Sequence, residues 1–123
     1  MTTTPAFANY CCELLATVGP CRPKRMFGGF GISTEGLTIA LIADLDGSGE
    51  RLYLKADDAS RAHFEAAGCR RFTYQAQGKL MQMNYYSAPD EALDSPDGMQ
   101  AWAQLALTAA LKARKPARKS ARG

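Results

Sequence analysis

The sequence predicts an α+β domain: two layers, with a five-stranded, mainly antiparallel sheet carrying its helices on one face. Three observations predict it. Apolar residues recur at helical spacing near both ends of the chain. Between them, short alternating runs are separated by tight-turn signals such as Glu35-Gly36 and Gln77-Gly78. One aspartate-led helical segment interrupts those runs. Consecutive strands joined by short turns pair antiparallel. Such a sheet buries at least one face, and the helices are there to cover it.

The elements follow in the order one helix, three strands, one helix, two strands, one helix. Residues 5–18 form the first helix, with Phe7, Tyr10, Cys11, Leu14, Leu15 and Val18 on one stripe. Thr4 caps it, Pro5 suits its first turn, and Gly19-Pro20 stop it. Pro20 to Arg25, PCRPKR, reads as a stiff connection. Met26 to Ser33 is a glycine-rich strand with Met26, Gly28, Phe30 and Ile32 on one face. Leu37 to Ala43 follows, with Leu37, Ile39 and Leu41 sharing a face. Asp46-Gly47-Ser48-Gly49 then signals a hairpin turn. Arg51 to Lys55 points Leu52 and Leu54 inward and Arg51, Tyr53 and Lys55 outward.

Asp57 and Asp58 start the second helix, and Gly68 ends it. Phe72 to Gln75 and Leu80 to Tyr86 are the last two strands. In the second of these, Met81, Met83 and Tyr85 are expected in the core and Asn84 and Tyr86 on the other face. Ser95-Pro96 caps the last helix, whose buried face is Met99, Trp102, Ala103, Ala106, Leu107 and Ala110.

The 123 residues fit one domain, placed at residues 1–111. Residues 112–123, KARKPARKSARG, form a basic tail expected to be disordered. The net charge of +3 belongs to that tail, because the other 111 residues hold nine basic and twelve acidic side chains. Lys112, Arg114, Lys115, Arg118, Lys119 and Arg122 are therefore the candidate nucleic-acid contacts, weak and independent of base sequence. The acidic body is by itself a poor surface for nucleic acid. No stretch is long and apolar enough to span a membrane, and the N-terminus does not read as a secretory signal. With Cys11, Cys12, Cys21 and Cys69 poorly spaced for a disulfide framework, the expectation is a cytoplasmic protein with free thiols.

No catalytic or cofactor constellation emerges. Gly29-x-Gly31 lacks the third glycine of a dinucleotide loop and precedes a strand, so these glycines serve a bulge or a close helix crossing in a strand. Cys12 and Cys21, nine apart, and His63 and Cys69, six apart, do not match zinc spacing. The acids after Asp46 do not complete a calcium loop, since Asp57 stands where the closing glutamate belongs. Asp44, Asp58, Asp90, Glu91, Asp94 and Asp97 read as caps and solvated acids. The expected metal and cofactor complement is none. A thiol-dependent enzyme or redox sensor using Cys69 or Cys21 is a weaker alternative.

MFGGFGI at 26–32, LIAD at 41–44, LYLK at 52–55, FTYQAQGK at 72–79, MNYYSAPDEALD at 83–94 and WAQLAL at 102–107 occur in one order. Arg61 and Phe64-Glu65 lie on the helix between them. Together these segments resemble the N-terminal domain of the TfoX/Sxy competence-regulator family, over about residues 10–111. The resemblance implies the fold above and a role in transcription, notably of competence genes, in concert with the cyclic-AMP receptor protein. Full-length members carry a second, helical domain where this sequence has the basic tail. The resemblance transfers no catalytic residue.

The expected function is that of a non-enzymatic regulatory or adaptor domain that binds a protein, with the transcription machinery as a candidate partner. The sheet face left free by the helices is the candidate surface, with Tyr53, Tyr74 and Tyr86 as its contact residues. That face or a sheet edge is also the candidate contact for a homodimer. The alternative is a nucleic-acid-binding protein driven by the tail.

Overall fold

The computed structural model describes residues 4–26, 28–45, 47 and 49–114. Asp46, Ser48 and the tail residues Lys115, Arg118, Lys119 and Arg122 lie outside the described residues.

Helix α1, Pro5–Leu15, begins where the Thr4 hydroxyl accepts the Phe7 N–H at 3.3 Å. It ends in a 3-10 turn at Ala16–Val18. Its buried stripe is Ala8, Cys11, Leu14 and Leu15. Tyr10 keeps its ring at the surface and its hydroxyl donates to the Leu93 carbonyl.

Among the described residues six strands follow, one more than expected. They are β1 Cys21–Met26, β2 Gly29–Thr34, β3 Leu37–Ala43, β4 Arg51–Lys55, β5 Arg71–Ala76 and β6 Lys79–Ser87. The added strand is the segment read as a connection. Its proline hid it, yet a proline fits a strand with only one neighbour. β1 is such an edge strand, paired only with β2. The strand expected at 26–33 is therefore the end of β1, a reversal and β2.

The sheet order is β1-β2-β3-β4-β6-β5, antiparallel throughout. The β2–β3 and β5–β6 turns are two-residue hairpins with positive φ at both positions: 50° and 82° at Glu35-Gly36, 54° and 78° at Gln77-Gly78. That geometry matches the twist of the paired strands, and glycine adopts it without strain.

Helix α2, Asp58–Ala66, carries a capping box in which Asp57 and Ser60 exchange hydrogen bonds of 2.8 and 2.9 Å. Helix α3, Pro96–Arg114, starts where the Ser95 hydroxyl accepts the Gly98 N–H. It runs past the expected boundary at Leu111, so Lys112 and Arg114 belong to a helix. The Lys112 ammonium stands 3.0 Å from the Asp57 carboxylate and ties the end of α3 to the cap of α2.

All three helices feed one core. Leu14 and Leu15, Phe64, and Met99, Ala103 and Ala106 pack there against Ile32, Ile42, Leu52, Leu54 and Tyr86. A second cluster of Leu41, Tyr53, Phe72 and Tyr85 draws on strands alone. The helices thus lie against one face of the sheet.

A bulge in β3 changes which side chains face the helices, and a second break alters the β5–β6 pairing. In β3 the partner of Ile32 is Ala40 and that of Ser33 is Thr38, so Ile39 is the extra residue of a bulge. Side chains on either side of a bulge lose strict alternation. Ile39, Ala40 and Ile42 all enter the main core and Leu41 turns to the opposite cluster, not to the face expected from Leu37 and Ile39. In β6 the pairing jumps from Arg71↔Tyr86 to Thr73↔Gln82. The Arg71 guanidinium fills the gap, donating to the Met83 carbonyl at 3.0 Å and to the Asn84 side chain at 2.7 Å. Tyr86, paired with the inward Leu54, belongs to the helix-side core, and Met81 is exposed rather than buried.

Gly29 and Gly31 have a structural role, but it is close approach to the neighbouring strand and to Met26 rather than a bulge or a helix crossing, and their tolerance is unequal. A Cβ on Gly29 would stand 1.9 Å from the backbone oxygen of Ile42, whereas one on Gly31 would meet only the flexible Met26 side chain at 2.7 Å. Gly29→Ala is expected to destabilise the fold by ~3 kcal/mol and Gly31→Ala by ~1 kcal/mol, because a methionine repacks and a paired backbone does not. Urea midpoints of the two variants check the order; equal losses would contradict it.

Candidate functional site, the outer face of the sheet

The face opposite the helices is built by alternation. With Leu52 and Leu54 turned inward, Tyr53 and Lys55 turn outward, as the sequence indicates. Tyr53 meets Phe72 edge-on at 5.0 Å, and Phe72 meets Tyr74 edge-on at 6.1 Å. The Lys55 ammonium sits 4.9 Å above the Tyr85 ring. Met26, Ala43 and Met83 close the cluster's margin.

Although no helix covers them, Tyr53, Phe72 and Tyr85 are only 4–6% exposed. The β6 break explains this. Beyond Tyr85, β6 pairs only with β5, and the two strands continue as a hairpin arm. Phe72, Tyr74 and Met83 of that arm share a cavity of about 230 Å3 with Ala43 and Leu45 at the end of β3. Phe72 and Met83 of the arm pack in the aromatic cluster and help to cover it.

What remains exposed lies around this cavity and along the arm. Leu45 and Tyr74 are each 38% exposed, Met81 40% and Leu80 65%. Of the three tyrosines proposed from sequence, only Tyr74 is a surface residue. Tyr53 is on the correct face but covered. Tyr86 is corrected: it is 2% exposed on the helix side, stacks on Phe64 at 5.4 Å and donates its hydroxyl to Glu65. Its pairing with the inward Leu54 put it there, and alternation within one strand does not say which of its faces meets the helices.

The missed residues are Leu45, Met81 and Lys55. A signal for the surface was present in composition. Arg22, Lys24, Arg25, Arg51, Lys55, Arg71 and Lys79 are the charged residues of the six strands, and no strand contains an acid. Among the described residues, the body's acids all sit in helices, caps and loops. The acidic body is thus divided, with its negative charge outside the strands and only positive charge within them. Among the described residues no carboxylate pairs with Lys55, and burial lowers its pKa.

The thiols give little support to nucleophilic chemistry. Burial, followed by the charges of Cys12 and Glu50, pushes Cys11 up to about 12. Burial and Cys12 push Cys21 to about 11, and its thiol faces the carbonyls of Leu15 and Gly19. Cys12 and Cys69 are raised as well, both mainly by burial. All four are free thiols. A reactive cysteine needs the opposite shift. His63 is exposed on α2. Among the described residues, no group of three or more His, Cys, Asp or Glu is placed to hold a metal ion. No described helix is long and apolar enough to cross a membrane.

Fold and surface together define an open-sheet α+β domain, layered by helices on one face and bare of them on the other. The chain belongs to the TfoX N-terminal domain family, whose model matches residues 13–110. It is similar to the DNA transformation protein TfoX1 of Aliivibrio fischeri (strain ATCC 700601 / ES114), with 29% identity over 73 residues. That alignment covers 59% of this chain and 32% of the relative, so the chain spans about a third of the relative's length.

The raised thiols make a pH prediction. The folded state holds Cys11 neutral above its ordinary pKa of 9.0, so its contribution is complete below pH 9 and is lost as pH rises toward about 12. Urea midpoints measured from pH 8 to 11 are expected to fall, by at most about 1.4 kcal/mol per pH unit for this one group. Cys11→Ala should start less stable but show a shallower fall; an unchanged slope would contradict the assignment.

Proposed function

We propose that this domain is a non-enzymatic regulator of the competence type that works by binding another protein through the outer face of its sheet, in a transcriptional context. The observation that carries the reading is the outer face itself: Leu45 and Tyr74 exposed at one cavity, with Met81 exposed opposite Tyr74, on a sheet whose described strands carry no acid. Exposed apolar groups gathered in one place are the usual mark of an interaction site. Family membership supports the regulatory part, and the name of the similar protein, a DNA transformation protein, supports the competence part. The raised thiols argue against the thiol-enzyme alternative.

The nucleic-acid alternative rests on the tail. Lys112, one of its six proposed contacts, is already engaged with Asp57. Arg114 continues α3, and the other four contacts lie outside the described residues.

The test is capture of partners from native cytosol, with and without nuclease. It uses the full chain, a Tyr74→Ser/Met81→Ser chain, and a chain with Lys115, Arg118, Lys119 and Arg122 all changed to Gln. A protein partner retained after nuclease and by the tail variant, but reduced at least about fivefold by the face variant, is the expected result; fivefold corresponds to ~1 kcal/mol at the interface. Capture that requires the tail charges and intact nucleic acid would replace this reading with the tail-driven one.

A further inference from the structure

The cavity on the outer face is about 230 Å3, below the ~300–1,000 Å3 of pockets that enclose small molecules. Its lining from Ala43, Leu45, Phe72, Tyr74 and Met83 offers an apolar recess open to solvent, sized for protruding side chains. Lys55 is half-buried over Tyr85, in the cluster that Met83 joins to the recess; it also borders a second recess with Asp57 and Asp58 but has no carboxylate partner among the described residues. Lys24 lies on the same side of β1 as Met26, by strand alternation, and Lys79 lies on the same side of the arm as Met81. An apolar recess on a sheet whose described strands carry only basic charge is complementary to one kind of surface.

We propose that the recess between the end of β3 and the β5–β6 arm docks an acidic, amphipathic protein segment, with its apolar side chains in the recess and its carboxylates against Lys55, Lys79 and Lys24. The inference rests on the protein-binding reading above and names the chemistry of the partner. An acidic segment is favoured over a nucleic acid because the cluster's other aromatic rings are covered. Of that cluster only Tyr74 offers an exposed ring, while stacking on bases needs exposed ring faces. Like charges on the strands also disfavour a basic partner, since like-charge juxtaposition costs affinity as opposite charge supplies steering.

Fluorescence anisotropy of the full chain with three labelled probes tests the proposal. The probes are a 12-residue peptide alternating Leu and Glu, its Leu and Lys counterpart, and a 12-nucleotide single-stranded DNA. The acidic peptide is expected to bind at least about tenfold tighter than the basic one, with an affinity that falls as salt rises. Lys55→Gln and Tyr74→Ser should each weaken it several-fold, with circular dichroism unchanged because both positions are at least partly exposed. Equal affinity for the two peptides overturns the proposal, as does an acidic-peptide affinity indifferent to both substitutions. Tighter binding of the DNA, reduced by Tyr74→Ser, overturns it in favour of a nucleic-acid face. If the peptides fail while the captured cytosolic protein is still lost from the Tyr74→Ser/Met81→Ser chain, the acidic chemistry is wrong and the protein-binding reading stands.

Discussion

Phe64 is the contact on which the arrangement of layers depends. Its ring is fully buried, nearly parallel to Tyr86 at 5.4 Å and tilted against Trp102 at 5.2 Å. One side chain of α2 thereby touches both β6 and α3. Deleting a ring at such a site typically costs ~3–5 kcal/mol, a large part of the stability of a small domain. Because Tyr86 is committed to this stack, the adjacent Tyr85 must face the other way. The helix layer and the aromatic cluster of the outer face are set by the same pair of neighbouring residues.

The second constraint is the shape of β6. A regular strand would continue straight from its pairing with β4. Instead it carries extra residues opposite Arg71, and the arginine satisfies the backbone and side chain left at the break. The resulting arm shields Tyr53 and Tyr85 and leaves Tyr74, Leu80 and Met81 at the surface. A two-stranded hairpin has little stability of its own, so the arm relies on Phe72 against Tyr53 for its attachment. A binding surface and its supporting cluster are therefore one structure.

Charge divides along the same line. The strands hold only basic residues, and the acids serve helix starts and loops: Asp57 caps α2 and binds Lys112, while Asp44 accepts the N–H groups of Gly47 and Gly49. Burial raises the pKa of Asp57, but the hydrogen bonds from Ser60 and the charge of Lys112 outweigh it and hold the carboxyl below its ordinary value. Net charge over the whole body conceals this division, because it averages the strands with the helices and loops.

The sequence by itself determined the class of fold, the three helices with their caps, both two-residue hairpin turns and the inward set of β4. Each of these depends on neighbours a few residues apart: a hydroxyl and an N–H three positions on, a pair of residues with positive φ, a period of two or of 3.6. It also carried the family, through segments spread over nearly the whole body. Only the tertiary structure decided that PCRPKR is an edge strand, that Leu41 and Ile39 face opposite ways, and that Tyr86 is core while Tyr74 is surface. Those outcomes turn on pairing between distant strands. A bulge changes the parity of every side chain beyond it, and local composition does not record where the partner strand places that bulge.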